Sequence, residues 1–282
     1  MKEKQIWTEE IRSNHSLFAI NLKDVWNYRD LLFMLVKNDY VTFYKQTILG
    51  PIWFFMQPIL TTLMYVLLFG QIAKLSTDGV PQLVFYLAGV TIWNYFSESL
   101  TKTSTVFKDN AILMGKVYFP RLIMPLSIIV SGLMKFVIQF LLFIVVVIYY
   151  AYFKESIHPN IWVLATPFLL LLMAFFSLGI GMIFSSLTTK YKDLVFLLTF
   201  GVQLFMYATP VVYSMSTIPL KYQQIMMWNP LTGIFECFRY AFLGSGDFNG
   251  TSLIFSSVLI MIILIIGVVV FNKVEKSFMD TV

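Results

Sequence analysis

The sequence predicts an all-α membrane protein with six transmembrane helices, and three observations carry that expectation. Of its 282 residues 58% are hydrophobic, and only 12% are charged. The mean hydropathy is +0.77. Most of the chain falls into apolar stretches of the roughly 20 residues that a helix needs to cross the hydrocarbon core. A water-soluble domain has no interior large enough to hide so much apolar surface.

Residues 1–47 read as a cytoplasmic N-terminal segment. Its first part carries Glu3, Glu9, Glu10, Arg12, Asp24 and Arg29 and has no apolar stretch of signal-peptide type, so this end is expected to be retained. Further on, Leu31, Leu32, Leu35, Val36 and Tyr40 alternate with Arg29, Asp30, Lys37, Asp39 and Lys45. Helical spacing puts the apolar set on one face, as in an amphipathic interface helix lying along the membrane surface. A short helix packed on the protein's own cytoplasmic side satisfies the same pattern.

The transmembrane domain is expected over 48–271, with spans at 48–70, 82–101, 122–152, 161–187, 194–215 and 252–271, and a tail at 272–282. The third and fourth spans exceed the minimum length, which allows tilt or extension beyond the bilayer. Orientation follows from the basic residues. The N-terminal segment, Lys102, Lys108, Lys116 and Arg121, Lys190 and Lys192, and Lys273 and Lys276 fall on one side; Lys74, Lys154, Lys221 and Arg239 fall on the other. The positive-inside rule then puts both termini in the cytoplasm. Segment 216–251 is too weakly hydrophobic to span, yet it holds Trp228, Phe235, Phe238, Tyr240 and Phe242 between Pro219, Pro230, Gly233, Gly244 and Gly246. Short re-entrant helices on the external side fit this composition, because irregular backbone at membrane depth survives only where protein or water covers it.

Several chemistries are absent. The net charge of +5 is spread among segments that flank the spans rather than gathered in a nucleic-acid patch. Gly115-Lys116 is followed by Val117 and lacks the earlier glycine of a phosphate loop, so the chain has no such ATP site. Cys237 is the single cysteine, and His15 and His158 are the only histidines. A metal centre or a His-based triad is not expected from them. Within the membrane, Lys135 and Glu98, with Glu236 in the re-entrant segment, are fewer charges than an ion-coupled carrier uses. Lys135 and Glu98 either serve transport, pair with each other, or snorkel to an interface.

Between spans two and three, the loop 103–120 alternates charged and apolar residues, and Pro120 ends any helix begun near Val106. Such a helix suits docking in a partner's groove, and equally an ordinary loop lying on headgroups.

At this point the chain resembles the ABC-2 type permeases that export O-antigen, capsule, teichoic acid and related glycans. The resemblance runs from about residue 27 over nearly the whole chain. It rests on Tyr28-Arg29-Asp30-Leu31-Leu32 with Lys37-Asn38-Asp39, on Tyr44-Lys45-Gln46-Thr47-Ile48-Leu49-Gly50-Pro51-Ile52-Trp53, on the Asn110 to Pro125 stretch, and on Trp228-Asn229-Pro230-Leu231. It implies a homodimeric permease of the bacterial inner membrane paired with two copies of a separate ABC ATPase subunit, which carries ATP and Mg. The chain itself then has no cofactor and no catalytic role. It further implies that Phe107, Asp109, Asn110, Lys116, Phe119 and Arg121 belong to an ATPase-coupling helix. Arg29, Asp30, Lys37, Tyr44 and Lys45 belong to the interface helix, and Trp228, Asn229 and Pro230 to an exit gate. The implied substrate is a polyprenyl-diphosphate-linked glycan, O-antigen foremost, with teichoic acid, drugs or small lipids as alternatives. Residues before 27 are longer than the family pattern expects.

Sugar rings expose C–H faces that stack on aromatic rings, so a glycan conduit is expected to be lined by aromatics. Trp53, Phe54, Phe55 and Tyr65 in span one, and Tyr86, Trp93, Tyr95 and Phe96 in span two, are the candidates. An interfacial belt or lipid-facing packing accounts for such residues as well. A membrane-embedded glycosyl or acyl transferase is the reading from another class, but the acidic residues Asp24, Asp30, Asp39, Asp109 and Asp193 form no carboxylate pair in sequence.

Overall fold

The computed structural model describes residues 22–45, 52–246 and 248–278, and among these the regular secondary structure is entirely helical. Expectations for residues 1–21 and 46–51, and for the side chain of Tyr44, lie outside the described residues. Two helices, α1 (Leu22–Asn27) and α2 (Arg29–Lys45), precede α3 (Trp53–Tyr65), which continues through a wider π turn at Val66–Ile72. Then come α4 (Gln82–Ser104), the short α5 (Val106–Asp109) and α6 (Ala111–Lys116), and the long α7 (Ile123–Tyr152). A 3-10 turn at Ile161–Ala165 leads into α8 (Thr166–Thr188), followed by α9 (Leu194–Tyr207), α10 (Leu220–Met227), α11 (Thr232–Leu243) and α12 (Gly250–Phe278).

Four stretches are long and apolar enough to cross a membrane: Trp53–Ile72, Ile123–Tyr152, Ile161–Thr188 and Gly250–Val274. With α4 and the shorter apolar α9, the helices overlap the six expected spans, and the architecture is consistent with that count. Helix α4 is less apolar than these four for a physical reason. It is the central element, packed against α3, α7, α8, α9 and α11, and from Val84 to Ile92 every residue is buried. A helix that meets protein on nearly every side has no need of a lipid-compatible surface.

Small residues set how closely the helices approach, as is usual where lipid offers no hydrophobic drive to associate. At the α8–α12 crossing, a Cβ on Gly267 would stand 2.4 Å from the Gly179 carbonyl oxygen. A Cβ on Gly181 would meet the Thr103 side chain at 2.6 Å, fixing α8 on α4. Two clusters result. The larger runs along α4, α7, α8 and α11; the smaller sits at the end that carries α5 and α6, around Phe107, Phe119, Ile123, Met182 and Phe271.

Helix α2 covers this second cluster. Leu31, Leu32 and Leu35, with Val25 and Tyr28, pack against it and Val36 is buried, so the apolar stripe read from sequence faces the protein. Phe33 and Met34 point away, at 61% and 59% exposure, as does Trp26 of α1 at 69%. The helix therefore packs on the protein's own body while offering a second apolar set outward.

At the opposite end, α11 is inserted into the bundle, with Thr232 to Phe235 and Cys237 to Arg239 buried. Its last carbonyls need partners. Asn160 supplies two of them, donating from its backbone N–H to Ala241 O at 2.9 Å and from Nδ2 to Tyr240 O at 2.8 Å. Gly244 closes the helix in the left-handed conformation at φ 70°.

Candidate functional site

A cavity of about 710 Å³ opens between α3, α4, α7 and α9. Its α4 wall carries Asn94, Ser97, Glu98, Thr101 and Lys102, which follow one another at steps of three and one and so share a face. Helix α9 adds Thr199, Val202, Gln203, Met206 and Tyr207 with the same steps, α7 adds Lys135 and Gln139, and α3 adds Trp53, Phe54, Gln57 and Tyr65. The lining thus joins amides, hydroxyls and charges to aromatic rings. Asn94 Nδ2 donates to Gln139 Oε1 at 3.2 Å, and the Lys135 ammonium sits 5.8 Å from the centre of the Phe54 ring.

The charges form a chain across three helices. Lys135 on α7 pairs with Glu98 on α4; Glu98 also takes Lys102 at 3.1 Å, and Lys102 lies 3.9 Å from Asp39 on α2. Of the three roles open to Lys135 and Glu98 from sequence, mutual pairing is present. Pairing is what a charge at membrane depth requires.

The aromatic candidates separate. Trp53, Phe54, Tyr65 and Trp93 line the cavity, with Phe54 and Trp93 themselves buried at 4% and 7% exposure. Tyr86, Tyr95 and Phe96 do not: they are 0%, 3% and 0% exposed, and Phe96 stacks on Phe176 with centroids 5.4 Å apart. They pack in the core, where α4 has no face left over on their side. Phe55 is 37% exposed and lies outside the cavity.

The loop after α4 also divides by function. Phe107 and Phe119 are buried anchors, Phe107 stacking on Phe271 at 4.5 Å. Thr105 Oγ1 donates to Asp109 Oδ2 at 2.6 Å, and Asn110 Nδ2 donates to Val106 O at 3.1 Å, so these polar residues brace the two short helices. Thr188 Oγ1 ties the loop's root to α8 by donating to Ser104 O at 2.8 Å. Outward stand Lys108, Asp109 and Lys116 with Ile112, Val117 and Tyr118, at 75%, 51% and 62% exposure for the latter three, while Arg121 is half-buried. The helix ends ahead of Pro120, as its sequence requires.

In the α2 set, Arg29, Asp30, Lys37 and Lys45 are exposed, and Arg29 stands 3.9 Å from Asp30. In the external set, Trp228 is 71% exposed, Pro230 is buried, and Asn229 is a clamp. Its Nδ2 donates to Ala208 O at 2.8 Å and Thr209 Oγ1 at 2.9 Å, while its Oδ1 accepts from the Leu231 N–H at 2.9 Å.

Two things escaped the sequence reading. One is the polar stripe of α4 and α9, whose helical spacing was visible but whose uncharged members were passed over. The other is Arg239, counted there as an external topology signal. It is buried, stacks on Phe85 at 3.8 Å, and donates to Val211 O at 2.5 Å and Tyr213 O at 3.0 Å.

A sequence model of the ABC-2 type transporter family matches residues 30–243. Over 254 residues the chain is 28% identical to an O-antigen export system permease protein of Klebsiella pneumoniae, covering 89% of this chain and 94% of that one. An O-antigen export system permease protein of Myxococcus xanthus is 28% identical over 223 residues, 78% of this chain and 83% of that one. A polysialic acid transport protein of Escherichia coli is 23% identical over 238 residues, 83% and 89% of the two chains.

Proposed function

We propose, for a chain that belongs to the ABC-2 type transporter family, the role of transmembrane permease in an exporter of O-antigen across the bacterial inner membrane. The substrate travels linked to a polyprenyl diphosphate. A separate ABC ATPase, in two copies, supplies ATP hydrolysis with its Mg, and the permease acts as a homodimer with both termini cytoplasmic.

The observation that carries this reading is the cavity lining. The amides of Gln57, Asn94, Gln139 and Gln203 and the hydroxyls of Ser97, Thr101 and Thr199 suit sugar hydroxyls, while Trp53 and Tyr207 offer ring faces to sugar C–H groups. Stacking is weakly directional, so a long glycan can slide from ring to ring. The relatives named as O-antigen export permeases, aligned over most of both chains, support the same substrate. The outward set Ile112, Lys116, Val117 and Tyr118 suits contact with the ATPase, since Phe107 and Phe119 hold it rigidly against the bundle. The exposed rings of Trp26 on α1 and Phe33 on α2 suit the headgroup region, and the Asn229 clamp suits an element that gates the exit.

The test is O-antigen display in cells whose chromosomal copy is replaced by Trp53→Ala or Gln203→Ala. Display is expected to fall about tenfold or more at equal membrane abundance, with lipid-linked glycan accumulating inside. Full display by both variants would defeat the assignment of this cavity to the glycan.

A further inference from the structure

We propose that Lys102 and Lys135 form an anion subsite at one end of the cavity, built for a phosphate or diphosphate group, and that Asp39 is the internal anion this group displaces. The ion pairs at the cavity wall point there. The ammonium groups of Lys102 and Lys135 both pair with Glu98, and Lys102 also reaches outside the cavity to Asp39, at 3.9 Å. The separation is longer than a hydrogen bond. Both side chains are also about half exposed, at 43% and 49%, which makes this the weak link of the chain. The Lys135–Glu98 pair is more enclosed, with Lys135 at 15% exposure.

Lysine presents three donors around a compact charge and is a good phosphate ligand. The rest of the subsite fits the same chemistry. Thr101, one step before Lys102 on the cavity face of α4, offers a hydroxyl, and the Phe54 ring beside Lys135, with Trp53 also in the lining, offers an apolar wall. A phosphate attached to an apolar chain satisfies both halves at once. When it takes Lys102, the ionic tie between α2 and α4 is released, so binding loosens one hold on the helix that covers the Phe107 cluster. The inference rests on the exporter reading for the biological source of the anion; the subsite itself stands on the geometry.

The test uses the full chain in neutral phosphatidylcholine nanodiscs, titrated with farnesyl diphosphate, farnesol and inorganic pyrophosphate, with binding followed by calorimetry. Farnesyl diphosphate is expected to bind about tenfold or more tightly than farnesol, and Lys102→Gln to lose about tenfold, the worth of a charge-assisted hydrogen bond. Asp39→Asn is expected to tighten farnesyl diphosphate about two- to fivefold, the worth of the exposed pair it removes. Asp39 lies on a peripheral helix, so its substitution carries the test even if a Lys135 variant fails to fold. Pyrophosphate matching farnesyl diphosphate, with the same dependence on Lys102, assigns the site to a free anion; weaker pyrophosphate binding assigns it to a lipid-borne group. Farnesol binding as well as its diphosphate, or Asp39→Asn leaving affinity unchanged or lower, overturns the proposal. The probes contain no sugar, so failure of O-antigen display and failure of this subsite are separate results.

Discussion

Replacing Gly267 by alanine drives a methyl group into the α8–α12 crossing. On the existing backbone that carbon stands 2.4 Å from the Gly179 carbonyl oxygen and 2.9 Å from the Gly179 Cα. Ordinary contact begins about 1 Å further out. Both opposing atoms are backbone, so no rotamer change relieves the clash and α12 has to move off α8. Overpacking of this kind costs about 1–3 kcal/mol, which for a chain of this size lowers the melting temperature by about 2–10 °C. Gly115→Ala is the matched control, since nothing lies within 4 Å of a Cβ there. Alanine's helix propensity favours that change by up to about 1 kcal/mol. The assay is heating of detergent-purified protein, followed by size-exclusion measurement of the remaining monodisperse fraction. A Gly267→Ala protein as stable as the parent, with Gly115→Ala indistinguishable from both, would refute the close-crossing argument.

Phe107→Ala removes a buried ring stacked on Phe271 and is expected to cost about 3–5 kcal/mol. Tyr118→Ala, at an exposed position, is expected to stay within about 0.5 kcal/mol yet lower ATP hydrolysis in the assembled transporter; heating and hydrolysis measured on the same preparations separate the two. Asn229→Ala strands the Ala208 carbonyl and the Leu231 N–H, a loss of about 1–3 kcal/mol for each group left unmet. Faster proteolytic cutting between residues 208 and 231 checks it.

The long apolar helices were legible because length and composition alone define them: α7, α8 and α12 begin and end within a few residues of the expected limits, apart from the longer C-terminal run of α12. The fifth span was overdrawn. It ends at Tyr207 instead of continuing to 215, and the irregular backbone beyond it is held by Arg239 and Asn229 from residues far along the chain. Such partners leave no local mark. Among the aromatics, Trp93 and Phe96 lie three residues apart and received the same role from sequence, yet one lines the cavity and the other is sealed against Phe176. That division depends on which neighbours surround α4, which residue type does not encode. The polar stripe from Asn94 to Lys102 was the legible clue, since uncharged polar residues at helical spacing in a membrane helix mark a face turned from lipid.

The central position of α4 also bears on how the chain is made. Among the helices packed against it, α7, α8, α9 and α11 are all synthesised later. When α4 leaves the ribosome, Gln139 and Lys135 of α7, which partner Asn94 and Glu98, are not yet made, and both polar residues weigh against partitioning into lipid alone. Stable entry of α4 into the bilayer is therefore expected to wait for its successors, and α7 is the one that brings both partners. A substitution at Gln139 then reaches α4 as a failure of insertion before it is ever a failure of packing.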